Sequence, residues 1–247
     1  MSKIAVLADI HGNLPALQAV VADMDRRGIT IVLNLGDHAS GPLWPQETLA
    51  FLMQQSWIQI AGNCDRQLVH QPPDAHGASD RYAFERISAS QKAWLQALPA
   101  HARFEQELWL CHGTPTHDDQ ALLETVTQGV VRLARPTEIM QRLAGVTASV
   151  VLCGHTHTPR LIQTMGTQLI VNPGSVGLPA YEDSEPEPHV IETGSPHARY
   201  AILEQQHLTW QVEFVAVAYD YLRAANQARQ NNRLDWEVGL RTGYMQE

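Results

Sequence analysis

"IAVLADIHGNLPALQAVVADM", residues 4–24, carries the pattern that decides the fold of this chain. Ile4–Ala8 predicts a buried strand because the run is short, apolar and partly β-branched. Asn13 then predicts a helix N-cap, with Pro15 in the first turn and apolar residues at helical spacing until Gly28. A strand that leads through a short polar turn into an amphipathic helix is the first half of a βαβ unit.

The same alternation continues after this first unit. Ile31–Leu35 and Trp57–Ala61 predict two more strands, and a helix is predicted near Gln46–Gln55 between them. This succession favours α/β architecture with parallel strand pairing. Residues 66–107 are predicted to be mainly helical. The remaining predicted elements are strands over Glu107–Leu110, Val150–Cys153, Leu169–Val171, Tyr200–Glu204 and Leu208–Ala216, and helices over about Pro136–Leu143 and from about Tyr219.

Composition narrows the class of protein. The 247 residues are 44% hydrophobic and 17% charged, which is typical of an ordered globular chain. A net charge of -9 without a basic stripe disfavours nucleic-acid binding. Three cysteines, no signal-peptide pattern and no long apolar run predict a cytoplasmic protein without a membrane segment. Homo-oligomerisation stays open.

We expect residues 1–247 to form a single domain with two less regular parts. Residues 181–197, "YEDSEPEPHVIETGSPH", are rich in proline and acidic residues and show no period. They predict a surface loop, which is either a lid, an oligomer contact or a solvated segment without a role. A helical tail is expected from about residue 219.

Residues that can bind a metal ion follow the predicted strands. Because the carboxyl ends of parallel strands meet at one edge of an open sheet, we expect these side chains to converge. Each alone is explained equally well as a helix cap or a core histidine, but all of them together favour a metal site. Carboxylate and imidazole suit zinc, manganese, iron and nickel, and one bridging carboxylate would let the set hold two ions. The residues are Asp9, His11, Asp37, Asn63, His112, His155 and His157.

An ordered set of motifs over residues 3–217 resembles the calcineurin-like metallophosphoesterases. The motifs are Asp9-Ile10-His11, Gly36-Asp37, Gly62-Asn63-Cys64-Asp65, His112-Gly113 and Gly154-His155-Thr156-His157. In addition, Asn172-Pro173-Gly174-Ser175 is similar to the small bacterial and archaeal phosphodiesterase branch of the family.

The resemblance implies a two-sheet αββα sandwich and a centre of two divalent ions, Mn²⁺ before Fe, Zn, Ni or Co. It implies that a hydroxide bound by both ions attacks phosphorus and cleaves a phosphodiester. A small phosphoester or nucleotide is the expected substrate. Phosphomonoesterase or dinucleoside polyphosphate hydrolase activity remains an alternative, and so does a non-catalytic scaffold. The implied ligands are Asp9, His11, Asp37 and His157 for one ion and Asp37, Asn63, His112 and His155 for the other.

Two departures from the family pattern affect the expected chemistry. Many members have histidine after the motif asparagine, where this chain has Cys64, and a buried thiol is a poor general acid. Good leaving groups or a water-mediated proton are therefore favoured. The stretch after Asp37, "HASGPLW", lacks the arginine of protein phosphatases, which argues against that activity.

The resemblance and the neighbouring sequence suggest further site residues. Asp37, Asn63 and Asp65 are the predicted catalytic group, with Asp65 expected to orient a ligand. The predicted substrate contacts are Asn13, Arg66, Thr114 and His38. A helix cap, a solvated charge and a surface histidine are the respective alternatives for Asn13, Arg66 and His38.

Overall fold

Fourteen strands, eight α-helices and one short 3-10 helix (Pro73–Ala75) are present in the computed structural model, which describes residues 3–207 and 209–246. The strands are β1 (Lys3–Leu7), β2 (Ile31–Asn34), β3 (Ile58–Gln59), β4 (His101–Phe104), β5 (Leu108–Cys111), β6 (Glu124–Thr127), β7 (Val130–Leu133), β8 (Val150–Leu152), β9 (Arg160–Gln163), β10 (Leu169–Asn172), β11 (Ala180–Asp183), β12 (His189–Glu192), β13 (Ala198–Gln206) and β14 (Thr209–Val217). The α-helices are α1 (Leu14–Arg26), α2 (Pro45–Leu52), α3 (Asn63–His70), α4 (Ala78–Arg86), α5 (Ala89–Ala97), α6 (Pro136–Arg142), α7 (Tyr221–Gln230) and α8 (Leu234–Thr242).

Two five-stranded sheets form the centre of the molecule. The first has the order β14-β13-β1-β2-β3, in which β1, β2 and β3 are parallel. The second has the order β4-β5-β8-β10-β9, in which β5, β8 and β10 are parallel and antiparallel strands occupy both edges. Parallel pairing brings the carboxyl ends of β1, β2 and β3 to one edge, as the sequence predicts.

Side-chain alternation along the strands divides the core into layers. Ile4, Val6 and Ala8 of the first sheet pack against apolar residues of the second sheet. Ala5 and Leu7, which point the other way, pack among helical residues. The outer face of the second sheet is covered by α6. The architecture is therefore α/β with two facing sheets between helices, and the predicted αββα sandwich is confirmed.

Residues 66–107 are mainly helical, as predicted, but they also contain one edge strand. The helices α3, α4 and α5 fill most of this range, but β4 pairs antiparallel with β5. The burial of β4 alternates between exposed and half-buried, so its sequence lacks the apolar run that marks a central strand. Its pairing partner, rather than its own residues, makes it a strand. Leu208, the predicted start of the last strand, lies outside the described residues.

The prediction of an irregular surface loop over residues 181–197 is wrong, because this segment contains two strands. Strands β11 and β12 form an antiparallel hairpin in which Tyr181 pairs with Ile191. Two of the three prolines and two of the five acidic residues lie in the connection at 184–188. Composition averaged over the whole segment hid the aromatic and β-branched residues that form the two strands.

The C-terminal helices α7 and α8 pack near the polar residues that follow the parallel strands of the first sheet. The Asp220 side chain caps α7 by accepting a hydrogen bond from the Arg223 amide at 3.1 Å. The apolar faces of α7 and α8 bury Trp236 and Leu240 in one cluster with Leu43. This packing brings Trp236 beside the polar strand ends. Within the described ranges, no helix combines the length and apolarity needed to cross a membrane.

Candidate metal centre

Five of the seven predicted ligands have a backbone conformation that L-residues rarely adopt. Their φ angles lie between 50° and 69°, and the residues are Asp9, His11, Asp37, His155 and His157. Such positions cost about 1–3 kcal/mol each and persist where the surrounding structure enforces them. Here the loops after β1 and β2 hold each other in this conformation. The Asp9 amide donates to the Gly36 carbonyl at 3.0 Å and the His11 amide to the Asp37 carbonyl at 2.9 Å.

Backbone carbonyls orient three of the imidazoles. A carbonyl can only accept, so each Nδ1 carries a proton, and in the neutral imidazole each Nε2 presents a lone pair to the cleft. The pairs are His11 with Ser40, His112 with Leu35 and His157 with Leu178, at 2.7–2.8 Å.

Several donor atoms in the centre have no hydrogen-bond partner. Both carboxylate oxygens of Asp9 and Nε2 of His112 are buried and receive no hydrogen bond within the described part of the chain. Nε2 of His11 and Nε2 of His157 face each other at 3.2 Å. Burying such atoms unpaired costs free energy, and a cation held between them removes that cost. The donor set therefore fits a divalent metal ion.

The carboxylate of Asp37 lies between the two sides of the centre. Its Oδ2 is 3.8 Å from Nε2 of His11 and 3.3 Å from Nε2 of His112. Three groups of donor atoms are close enough to share an ion, namely Asp9 with His11 and His157, Asp9 with Asp37 and His112, and His11 with Asp37 and Cys64. Asn63 Oδ1 and His155 Nδ1 lie 3.1 Å apart. All seven predicted ligands are thus brought together.

The charges of the centre are strongly coupled. Burial lowers the pKa of His112, but the Asp37 and Asp9 carboxylates outweigh it and raise that pKa to about 10. Burial and the charge of His112 lower the pKa of His155 to about 4. Burial opposes ionisation of Asp37, yet His112 and His11 hold its pKa well below the ordinary value.

Metal binding is therefore expected to release a proton. Without metal, His112 is protonated below pH 10, whereas a coordinated imidazole must be neutral. Affinity for Mn²⁺ should consequently rise about tenfold per pH unit between pH 6 and 8. His155 adds nothing in this window because its pKa of about 4 leaves it neutral. Isothermal titration in buffers of different ionisation enthalpy measures the release, and a buffer-independent heat would contradict the prediction.

Asp65 supports the centre from behind and does not enter it. Its carboxylate accepts hydrogen bonds from the amides of Asp37 at 2.8 Å, Gly62 at 2.9 Å and His38 at 3.0 Å. It also accepts from Nδ1 of His38 at 2.7 Å. Asp65 therefore positions the loop that carries Asp37, in keeping with its expected role of orienting a ligand, and its place in the catalytic group stays a prediction.

Gly62 allows α3 to approach Asp37. A Cβ at this position would overlap Oδ1 of Asp37 and lie 2.6 Å from its backbone nitrogen. Gly62→Ala is expected to lower the free energy of unfolding by about 1–3 kcal/mol. Gly166→Ala is the matched control, since its nearest neighbour is 3.9 Å away. Urea unfolding in EDTA measures both without bound metal, and equal values for the two variants would contradict this reasoning.

Cys64 lies at the start of α3 beside Asp37. Its amide donates to Oδ1 of Asp37 at 2.9 Å, and its thiol lines the cleft. Burial, with the charge of Asp37 as a second cause, raises the pKa of the thiol well above its ordinary value. The thiol therefore stays protonated and is a weak acid at neutral pH.

Two residues that are predicted to contact substrate are in contact with other parts of the protein. The Asn13 side chain caps α1 and donates to the Gly177 carbonyl at 2.8 Å and the Tyr219 hydroxyl at 3.1 Å. His38 is fully buried rather than at the surface, and its ring packs edge-on against Trp94. Both side chains thus have structural roles in the fold, and their contact with substrate stays a prediction.

The other two predicted contacts are also engaged by protein groups. Thr114 is buried, and its hydroxyl bonds to the backbone of His117 in a turn. Arg66 forms a two-pronged ion pair with Asp118 at 2.6 and 2.7 Å. Neither side chain lines the cleft, so binding a substrate would require both to give up these partners.

Two aromatic residues border the centre. The Tyr181 ring lies 4.5 Å from that of His157, and its hydroxyl donates to the His155 carbonyl at 3.2 Å. Trp236 meets the His11 ring edge-on at 6.0 Å. Trp236 comes from the last helix, and no motif near it signals this position.

Comparison with known proteins agrees with this geometry. The model of the calcineurin-like phosphoesterase superfamily domain matches residues 2–195. The chain belongs to this superfamily. Because superfamily members act as metal-dependent phosphoesterases, the buried donor cluster of this calcineurin-like phosphoesterase is its candidate metal site.

One protein similar in sequence and two solved structures match almost the whole of this phosphoesterase. An uncharacterized protein of Methanocaldococcus jannaschii is 23% identical over 259 residues, which cover 95% of each chain. A metallophosphoesterase structure from Sphaerobacter thermophilus has a TM-score of 0.72 at 21% identity, over 96% of this chain and 99% of that one. A hypothetical protein from Pyrococcus horikoshii has a TM-score of 0.75 at 20% identity, over 98% and 99%. At these identities, the structural likeness supports the fold alone.

Proposed function

We propose that this calcineurin-like phosphoesterase is a hydrolase that uses two divalent ions to cleave phosphodiester bonds. The observation that carries the proposal is the cluster of buried donor atoms left without protein partners. One ion would be held by Asp9, His11, Asp37 and His157, and the other by Asp37, Asn63, His112 and His155. We expect Mn²⁺ foremost, with Fe, Zn, Ni or Co as substitutes, because this ligand chemistry accepts all of them.

The protein's own residues would prepare this chemistry. When bound, such ions neutralise phosphoryl oxygens and increase the acidity of water at neutral pH. The carbonyl bonds at Nδ1 hold the imidazoles in one tautomer and orientation. Asp65 fixes the loop of Asp37, the carboxylate with imidazole nitrogens on both sides. The Cys64 thiol is a weak acid, which favours substrates with good leaving groups.

Hydrolysis of bis(4-nitrophenyl) phosphate tests the proposal directly. The purified protein, stripped with EDTA and then supplied with Mn²⁺, should release 4-nitrophenolate, and the stripped protein should not. Metal-independent turnover, or no turnover with any of the five metals, would overturn it. If elemental analysis then found no bound metal after growth with Mn²⁺, the scaffold alternative would replace it.

The phosphomonoesterase alternative uses the same ions and needs a separate comparison. Assays of 4-nitrophenyl phosphate and bis(4-nitrophenyl) phosphate under one condition distinguish the two activities.

Strand β13, which lies beyond the superfamily match, pairs with β1 and supports treating residues 1–247 as one domain.

A further inference from the structure

Two cavities open from the candidate metal centre, and together they define a substrate with two arms. The first has a volume of about 380 Å³ and the second about 610 Å³. Both are lined by Asn63 and His155 of the centre and by Tyr181 and Asp183 of β11. A phosphoryl group at the centre therefore has separate space for a substituent on each side of β11.

We propose that the substrates are phosphodiesters of single negative charge whose two alcohol arms occupy these two cavities and are neutral or cationic. The proposal rests on the proposed phosphodiesterase function and specifies its substrate class. A monoester has one arm and leaves one cavity empty, whereas a diester fills both.

The charge of the first cavity excludes additional anionic groups. Besides Asp37, its lining includes Asp80, Glu182, Asp183 and Asp235. Burial and the nearby Asp37 carboxylate raise the pKa of Asp80, as expected where carboxylates are crowded. A substrate arm that carries a further negative charge would enter this potential at a cost.

The basic side chain that lines the first cavity is already paired with a carboxylate. Apart from histidines, Arg233 is the one basic side chain among the described lining residues. Its guanidinium contacts Asp235 at 2.6 Å and donates to the Ser79 hydroxyl at 2.8 Å. Arg233 and Asp235 lie beyond the superfamily match, so this wall is particular to the C-terminal part of the chain.

Acidic side chains also outnumber basic ones in the lining of the second cavity. Its acidic lining residues are Asp119, Glu124, Asp183 and Glu185, of which Glu124 is paired with Arg160 at 2.6 Å and Asp119 with Arg66 at 3.4 Å. Arg142, the basic residue among its described lining residues apart from histidine, donates to the Glu124 carbonyl at 2.7 Å and the Thr125 hydroxyl at 2.8 Å. Neither cavity offers a free guanidinium to a second phosphate. This argues against dinucleoside polyphosphates as substrates.

Matched 4-nitrophenyl diesters test the charge preference. Their second arm is 2-(trimethylammonio)ethyl, the isosteric neutral 3,3-dimethylbutyl or 2-carboxyethyl. At saturating Mn²⁺, kcat/KM should be at least as high for the cationic as for the neutral arm and about tenfold lower for the anionic arm. Added salt should reduce the difference. Equal rates for all three, or a faster anionic ester, would overturn the proposal.

A variant pair assigns this preference to the cavities. Asp183→Asn should narrow the cationic-to-anionic ratio about threefold, because Asp183 lines both cavities. Asp25→Asn, at an exposed position on α1 that lines neither cavity, should leave the ratio unchanged. Equal ratios for the two variants would contradict the assignment.

Filling each cavity in turn tests the two-arm geometry. Ala78→Trp narrows the first cavity and Gln67→Trp the second. Both should raise KM for bis(4-nitrophenyl) phosphate about tenfold, whereas only one should do so for methyl 4-nitrophenyl phosphate, whose second arm is small. Thermal unfolding verifies that each variant folds. Insensitivity of the larger diester to either variant would overturn the geometry, while absence of all turnover in the unmodified protein would instead overturn the proposed function.

Discussion

Asp37→Asn is expected to lower kcat/KM toward bis(4-nitrophenyl) phosphate by about three orders of magnitude at saturating Mn²⁺. The Asp37 carboxylate has imidazole nitrogens of His11 and His112 at 3.8 and 3.3 Å, and we propose that it bridges both ions. Asparagine keeps the shape and an oxygen that can accept from the Cys64 amide, but it removes the charge.

The fold should survive this substitution. Asp65 binds the backbone amide of residue 37 rather than its side chain, so the loop keeps its anchor. Asp25→Asn provides the control for removing one carboxylate from an exposed position. Circular dichroism verifies folding, and residual activity above about a tenth of the unmodified protein would contradict the bridging role.

His155→Ala and His157→Ala are expected to remove different ions. The His157 Nε2 lies 3.5 Å from Oδ1 of Asp9, and the His155 Nδ1 lies 3.1 Å from Oδ1 of Asn63. Each variant should therefore bind about one Mn²⁺ where the unmodified protein binds two. Elemental analysis of dialysed protein measures this without any assay of activity.

Electron paramagnetic resonance shows which ion is lost. Two neighbouring Mn²⁺ ions give an exchange-coupled spectrum, and each variant should give an uncoupled one, with different parameters for the two remaining sites. His70→Ala, at an exposed position in the last turn of α3, should keep the coupled spectrum. Identical spectra from the two variants, or two ions retained in either, would contradict the separate assignment.

Most of the metal centre could be predicted because its residues combine two strong local signals. Asp9 directly follows a predicted strand, and Asp37 and Asn63 each come two residues after one. The chemistry of all three side chains suits a cation. The topology of parallel strands then requires those ends to meet. The left-handed φ of 57° at Asp9 and 58° at Asp37 was not apparent, since no glycine or asparagine marks these positions.

Proximity to a ligand along the chain is a weak predictor of substrate contacts. Asn13, His38 and Thr114 are neighbours of ligands along the chain, yet the Asn13 amide, Nδ1 of His38 and the Thr114 hydroxyl bond to protein groups. Trp236 and Arg233 reach the first cavity from the opposite end of the chain. Their positions depend on how α7 and α8 pack against Leu43 and Leu178, which is a long-range contact.

Local sequence patterns suffice to predict the α/β class, the order of the central strands and helices along the chain, and the identity of the candidate ligands. These features depend on periodicity, capping and residue chemistry within short windows. The edge position of β4, the hairpin over residues 180–192 and the two acidic cavities that this hairpin borders follow from long-range contacts. Pairing partners and cavity walls come from segments far apart in the chain, and free energy from such contacts has no local pattern in the sequence.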